Sequence, residues 1–188
     1  MGVAILTSEA VPFAKTGGLA DVSGALPKAL SQHTVDARLI LPLYEKINRA
    51  FLNGESIDEI RVEWRGQTHT VRFVLSDAAG VPAYLLDAPE FFNRPNIYGY
   101  KDDHIRFAFF SRAALALLKH LDWQPDVVNG NDWPSGFAMA ELRVRRRYDP
   151  FFQRMRTLLS LHNVGYQGLF DPGDLWWLGF GERPELDD

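Results

Sequence analysis

The sequence predicts an α/β protein with a Rossmann-like, doubly wound and mainly parallel sheet that carries a small antiparallel hairpin excursion. Short apolar runs alternate with amphipathic stretches along most of the 188 residues, as strands and helices do in successive βαβ units. Between residues 59 and 86 the pattern changes to period-two alternation around a turn, which is typical of antiparallel strands. The hydrophobic fraction of 46% is ample for a core.

The first βαβ unit opens the chain. Val3–Thr7 is a continuous apolar run, as expected for a buried strand of a parallel sheet. Apolar residues at steps of three and four between Leu19 and Leu30 predict an amphipathic helix, which contains Pro27. Val35–Leu41 then predicts the second strand.

The remaining elements are predicted by the same patterns. In chain order they are a hairpin over 59–65 and 68–76, a run over 81–86, a helix over 105–120, a strand over 126–128, a helix that Asp132 caps and Pro134 helps to start, and a buried strand over 156–161.

Composition excludes several classes of protein. The chain has 24 acidic and 20 basic side chains and a formal charge of −4, whereas nucleic-acid binders normally have a basic excess. It has no cysteine, which excludes disulfides and thiolate metal sites. The N-terminus lacks the pattern of a secretory signal, and no apolar run approaches the roughly 18 residues of a membrane span. We therefore expect a cytoplasmic protein without nucleic-acid or membrane partners and without a metal site.

Polar clusters follow three of the predicted strands. They are Lys15–Asp21, Asn129–Trp133 and His162–Gly168. In doubly wound folds ligands bind at the carboxyl ends of the strands, so the three clusters predict one site.

The first cluster has both a functional and a structural interpretation. Gly17 and Gly18 would let the backbone approach a ligand, and free amides at a helix N-terminus attract phosphate. Lys15 would add a positive charge. The stretch is neither a Walker motif nor Gly-x-Gly-x-x-Gly, so a plain turn with a surface lysine is equally open. Asp21 either complements the helix dipole, worth about 0.3–1 kcal/mol, or accepts hydrogen bonds from sugar hydroxyls.

The other two clusters are similarly ambiguous. His162 at a strand end is suited to proton transfer or hydroxyl binding, although a lone histidine is more often structural. Asp132 beside Trp133, with Tyr166 downstream, combines a carboxylate with aromatic faces, as carbohydrate sites do. Trp133 is also a natural core residue.

Five stretches resemble, in order, the bacterial glycogen synthases and plant starch synthases. They are SEAVPFAKTGGLADVSGALPKAL, ARLILPLY, FFNRPNIYGYKDDHIRFAFFSRAAL, WQPDVVNGNDWPSGFAMAEL and LLSLHNVGYQGLF. The resemblance implies a GT-B glucosyltransferase with a cleft between two Rossmann-like domains. It also implies retaining transfer of glucose from ADP-glucose to the non-reducing end of an α-1,4-glucan, with no metal or cofactor.

The resemblance assigns roles to particular residues. It implies catalytic roles for Asp21 and His162, at the transferred glucose. The implied substrate-binding residues, of which the first lies near the donor phosphates, are Lys15, Gly17, Gly18, Asp132, Trp133, Asn163 and Tyr166. The chain departs from the family pattern at Asn129-Gly130-Asn131, where His-Ala-His is usual, and at Pro134, where a polar residue is common. Asparagine can bind a hydroxyl but cannot titrate, so acceptor binding or rate is expected to differ.

Residues 1–188 are thus predicted to be an acceptor-side N-terminal domain, unfinished at its C-terminal side and without the nucleotide-binding C-terminal domain. We expect the isolated chain to be inactive. ADP-glucose and UDP-glucose both remain open, because the base pocket would lie in the second domain. One alternative is a truncated or diverged glucan-binding homologue without catalysis. A dinucleotide-binding oxidoreductase is disfavoured by the missing three-glycine motif.

Overall fold

The structure, a computed structural model, describes residues 1–171 and 173–174. Its strands are β1 (Gly2–Leu6), β2 (Asp36–Pro42), β3 (Ser56–Trp64), β4 (Gln67–Ser76), β5 (Ala83–Asp87), β6 (Val127–Asn131) and β7 (Arg156–Ser160). Its helices are α1 (Gly18–Ser31), α2 (Pro89–Phe92), α3 (Asp103–His120) and α4 (Trp133–Tyr148), with 3₁₀ turns at Arg49–Phe51 and Pro150–Phe152. The predicted strands and helices are all present, with ends shifted by a few residues.

The strands form a seven-stranded sheet in the order β3-β4-β5-β2-β1-β6-β7. Strands β5, β2, β1, β6 and β7 run parallel. The chain moves outward from β1 to β2 on one side and returns to place β6 on the other, so the strand order reverses between β1 and β6. Right-handed crossovers then put α1 on one face and α3 with α4 on the opposite face. The predicted doubly wound fold is confirmed.

The antiparallel excursion is also confirmed, and it extends the main sheet. Strand β4 pairs antiparallel with both β3 and β5, while β5 pairs parallel with β2. The two residues between β3 and β4, Arg65 and Gly66, both have positive φ, at 51° and 75°. That conformation is typical of the two-residue turn that matches strand twist.

The central strands are buried on both faces, which explains their continuous apolar sequences. In β1, Ala4, Ile5 and Leu6 are fully buried. From α3, Phe107 and Phe110 are fully buried as well. The core therefore lies directly beneath the edge at which β1 and β6 end.

Strand β7 differs from its prediction. It was expected to be buried, yet Leu158 is 54% exposed and Leu159 is 42% exposed, with Leu161 beyond it at 62%. An apolar run shows what a strand is able to bury but not whether a layer covers it, so its sequence alone could not distinguish the two cases. Within the described residues, no helix is both long and apolar enough to cross a bilayer.

Candidate functional site

The three predicted clusters lie at one edge of the sheet. Because β1, β6 and β7 are parallel neighbours, the segments after Leu6, Asn131 and Ser160 leave from the same side. At this point the Leu6 carbonyl accepts hydrogen bonds from Asn131 Nδ2 at 3.2 Å and from Ser135 Oγ at 3.0 Å. These buried bonds join the end of β1 to the β6–α4 connection at the switch point.

The lysine loop (Lys15–Gly18) leads into α1. Lys15 Nζ contacts both carboxylate oxygens of Asp21, at 2.6 and 2.7 Å, so these two predicted residues lie together as an ion pair. About half of each side chain is exposed. A ligand phosphate at Lys15 would therefore meet an ammonium group that Asp21 already neutralises.

The two glycines of the lysine loop face open space. A Cβ built on Gly17 or Gly18 meets nothing within 4 Å, and Gly17 has an ordinary extended backbone with φ of −150°. Packing within the chain therefore does not require glycine at these positions. The open space leaves room for close approach by a ligand, and the binding role of the two glycines stays a prediction.

The histidine loop (His162–Gly168) is attached to Asp132. The carboxylate accepts hydrogen bonds from the His162 amide at 2.7 Å and the Asn163 amide at 3.3 Å. Asp132 does occupy the residue before α4, but its side chain caps nothing there. The expectation that it caps the helix by hydrogen bonding was wrong, because the downstream amides take its oxygen instead.

The Asp132 backbone is strained. Its φ of 56° and ψ of 179° lie in a region that glycine almost alone adopts, at a cost of about 1–3 kcal/mol. Strain of this kind clusters at functional sites, where surrounding structure maintains it. Asp132 is only 8% exposed, so its carboxylate has a fixed position under the histidine loop.

Asn131 determines which nitrogen of His162 carries the proton. The Leu6 carbonyl can only accept, so the Asn131 amide nitrogen must face it, which leaves Asn131 Oδ1 for His162 Nε2 at 2.9 Å. Nε2 must then donate, and in the neutral ring Nδ1 is the acceptor. In that state His162 has Nδ1 available as a hydrogen-bond acceptor.

Asn129 holds Asn131 in this orientation through a further hydrogen bond. Its Oδ1 accepts from Asn131 Nδ2 at 3.1 Å, and its own Nδ2 donates to Ser160 Oγ at 3.0 Å. Asn129 and Asn131 are nearly fully buried. The asparagines at the positions where histidines are usual therefore form a non-titrating chain behind His162.

Trp133 packs against neighbouring aromatic rings and also lines a groove, while its role in substrate binding stays a prediction. Its ring packs against Phe107 and Phe170, with centroids 5.3 Å away in each case. It also lines a groove of about 470 Å³ between α4 and the histidine loop. The lining includes the predicted Asn163 and Tyr166, together with Phe137, Leu159 and Leu161.

A second cavity, of about 520 Å³, lies beside the lysine loop. Lys15, Lys46, Arg94, Asn96 and Tyr98 supply most of its polar lining. The structure thus forms two groups, one around Lys15 and Asp21 and one around Asp132, His162 and the groove. Their roles in binding and catalysis stay predictions. In the described part of the chain, no three His, Asp or Glu side chains are grouped as a metal site requires.

Sequence reasoning missed two residues of the first group. Glu9 is 3% exposed and lies under the lysine loop, and Tyr98 reaches it from the segment before α3. The available signal was a carboxylate at the end of an apolar stretch, directly after β1. The sequence could not show that Tyr98, 89 residues away, would contact it.

Comparison with known proteins identifies the family. A profile of the starch synthase catalytic domain matches residues 2–188. The chain belongs to the starch synthase catalytic domain family. The resemblance seen in the sequence is confirmed.

The curated relatives of this starch synthase catalytic domain are glycogen synthases. The chain is 43% identical over 176 residues to the enzyme of Clostridium beijerinckii, covering 92% of this chain and 36% of the relative. It is also 43% identical over 178 residues to that of Geobacillus stearothermophilus, covering 93% and 36%. The chain therefore spans about a third of the length of the curated relatives it matches.

Solved structures agree with the fold. The catalytic domain of starch synthase IV from Arabidopsis thaliana, bound to ADP and acarbose, matches with a TM-score of 0.76 and 28% identity, over 93% of this chain and 38% of that one. A sucrose-phosphate synthase from Thermosynechococcus elongatus matches with a TM-score of 0.52 and 16% identity, and at that identity the likeness is one of fold alone.

Proposed function

We propose that the protein to which this chain belongs is a retaining GT-B glucosyltransferase that extends an α-1,4-glucan with glucose from ADP-glucose. In this proposal the chain forms the acceptor-side wall of the cleft. The nucleotide-binding domain would correspond to the part of the relatives that this chain does not match. The observation that carries the proposal is that the lysine and histidine loops leave the same edge of the sheet, beside the switch point, in a starch synthase catalytic domain. The related Arabidopsis enzyme was solved with ADP, the leaving group of ADP-glucose.

The proposal gives each loop a task that is consistent with its geometry. In the transfer, the bond from the anomeric carbon to the phosphate oxygen breaks, and ADP leaves with the electron pair. The anomeric carbon then bonds, on the face that ADP left, to a glucan hydroxyl, and the proton of that hydroxyl passes to the departing phosphate oxygen of ADP. Lys15 is placed to face the developing phosphate charge once a ligand separates it from Asp21. His162, with Nε2–H held by Asn131, offers Nδ1 to a hydroxyl of the transferred glucose.

The ion pairs near the lysine loop explain why we propose that the 188-residue chain alone is inactive. Lys15 is neutralised by Asp21, and Arg94 is paired with Asp102 through two hydrogen bonds of 2.6 Å. A diphosphate needs several positive groups aimed at it, and the opposite domain would provide them. The proposal includes no metal or cofactor, and it places the enzyme in the cytoplasm.

The test is glucosyl transfer from labelled ADP-glucose to glycogen by the full-length protein. His162→Ala and Asp21→Ala should each lower the rate by about 100-fold or more, as loss of a positioned polar catalyst does, with little change in melting temperature. Matched controls are the exposed His33→Ala and Asp77→Ala. Wild-type rates in the site variants, or robust turnover by the 188-residue chain, would contradict the proposal. EDTA should leave the rate unchanged.

A glucan-binding protein without catalysis is the second candidate. The groove beside Trp133 supports it, because Phe137 and the 74% exposed Tyr166 also line the groove and aromatic faces bind sugar rings. Glycogen co-sedimentation that Tyr166→Ala abolishes, in a full-length protein that transfers no glucose, would favour this candidate.

A further inference from the structure

Glu9 is a buried carboxylate that neither the resemblance nor the proposed mechanism uses. It is 3% exposed and accepts four hydrogen bonds. Oε2 accepts from the backbone amides of Thr16 and Gly17, the latter at 3.2 Å. Oε1 accepts from the Thr16 hydroxyl and from the Tyr98 phenol, each at 2.7 Å. A buried charge with this many donors has a defined structural task.

The donors fix the position of the Glu9 carboxylate. The two amides can only donate, and an ionised carboxylate offers about four acceptor sites. Burial raises the pKa of the Tyr98 phenol far above its usual range, so that hydroxyl keeps its proton and donates it to Glu9. Ser8 Oγ, 2.7 Å from the same phenol oxygen, must then donate to Tyr98. Charge-assisted bonds of this kind are about twice as strong as neutral ones.

Glu9 divides the amides at the start of α1 into two sets. Those of Thr16 and Gly17 point inward and are committed to the protein. From Gly18 onward, the first-turn amides of α1 have no acceptor within the helix. An internal anion thus holds the inner side of the lysine loop, while Lys15 and Gly18 remain on its exposed side.

Tyr98 links this anchor to a second rigid segment. The loop before α3 is held by Asp103, whose Oδ2 accepts from the amides of Gly99 and Tyr100 at 2.8 and 3.2 Å. Asp103 also forms an ion pair of 2.9 Å with the fully buried Arg106. The position of the Tyr98 hydroxyl is therefore determined by α3.

We propose that Glu9 is a positioning residue for the donor side of the site: its carboxylate, held by Tyr98, shapes the lysine loop before substrate binds. The inference rests on the proposed function for its kinetic consequence but not for its structural one. In the structural part, Glu9 acts as an internal anion that holds Thr16 and Gly17. In the kinetic part, this places Lys15 and Gly18 to receive the phosphates of a nucleoside-diphosphate sugar.

The structural part is tested by hydrogen exchange on the 188-residue chain. Glu9→Met keeps the side-chain volume and removes both acceptors, so exchange at the Thr16 and Gly17 amides should rise about tenfold or more. Glu9→Gln keeps one neutral acceptor for the amides and should give an intermediate rise. The matched control is Glu141→Met, which removes a buried carboxylate paired with Arg112 and Arg145 and should leave these two amides unchanged.

The kinetic part is tested in the full-length protein with the same variants. Glu9→Met should raise KM for ADP-glucose by about tenfold or more and change the apparent affinity for glycogen much less, whereas Glu141→Met should change neither selectively. If Glu9→Met does not fold, Glu9→Gln carries both tests.

Unchanged exchange at Thr16 and Gly17 in a folded Glu9 variant would overturn the inference. So would equal changes in the kinetics of the Glu9 and Glu141 variants. If the wild-type protein transfers no glucose, the proposed function fails, and the exchange result still decides the structural role of Glu9.

Discussion

The lysine loop and the histidine loop leave the same edge of the sheet but are supported in opposite ways. Beneath the lysine loop, Glu9 is buried and accepts four hydrogen bonds, and Ala4, Ile5 and Leu6 of β1 before it are fully buried. The histidine loop follows β7, whose leucines are largely exposed, and its own Val164 and Tyr166 are more than two-thirds exposed.

The difference shows that the lysine loop is supported from beneath by contacts within this chain. The histidine loop is hydrogen-bonded to the rest of the chain at its start. The lysine loop is held from inside by a charge. The histidine loop is attached at its start, through the amides that Asp132 binds and through Asn131. Its anchoring is sufficient to orient the His162 ring, while the residues beyond remain exposed. In the proposed full-length enzyme, we expect the nucleotide-binding domain to contact mainly the histidine loop.

The largest predicted effect compares the two strands that carry the loops. Leu6→Ala, at a fully buried position at the end of β1, should lower the free energy of unfolding by about 2–5 kcal/mol. Leu158→Ala in β7, where the side chain is 54% exposed, should change it by about 0.5 kcal/mol or less. Urea unfolding of both variants measures this. Similar losses would show that β7 is covered.

The next effect would sharpen the comparison, because it concerns a close packing contact of the histidine loop. Gly168 has φ of +63°, and a Cβ there would lie 2.5 Å from the Trp133 ring. Gly168→Ala should therefore cost about 1–3 kcal/mol. Gly17→Ala, which meets nothing within 4 Å, should fold with unchanged stability yet weaken ADP-glucose binding in the full-length protein. Thermal unfolding and KM measurements separate these outcomes, and equal destabilisation would refute the packing argument.

A small effect on stability is also predicted at Asp21. Its ion pair with Lys15 is half exposed, so Asp21→Asn should change the free energy of unfolding by less than about 1 kcal/mol. The same variant should strongly reduce glucosyl transfer by the full-length protein. A loss of stability above that range would mean that Asp21 supports the fold rather than the reaction.

Much of the fold followed from the sequence, because its signals are local. Apolar runs indicated the parallel strands, and alternation around Gly66 indicated the hairpin. The exposure of β7 was not predictable, since it depends on what covers Leu158 and Leu159.

The site was predicted as a set of positions but not as a set of contacts. The three clusters were located correctly, because parallel strands bring their carboxyl ends together. The bond from the His162 amide to Asp132 and the bond from Tyr98 to Glu9 span 30 and 89 residues, and no local pattern encodes them. The helix-capping interpretation of Asp132 failed for the same reason.

The most direct test of the contrast between the two loops is residue-resolved hydrogen exchange on the wild-type 188-residue chain. Amides at a helix start ordinarily exchange fast, because they have no partner within the helix. We predict that the Thr16 and Gly17 amides are nevertheless protected, whereas those of Val164 and Leu169, in and after the histidine loop, exchange at nearly unprotected rates. Equal rates in the two loops would contradict this prediction.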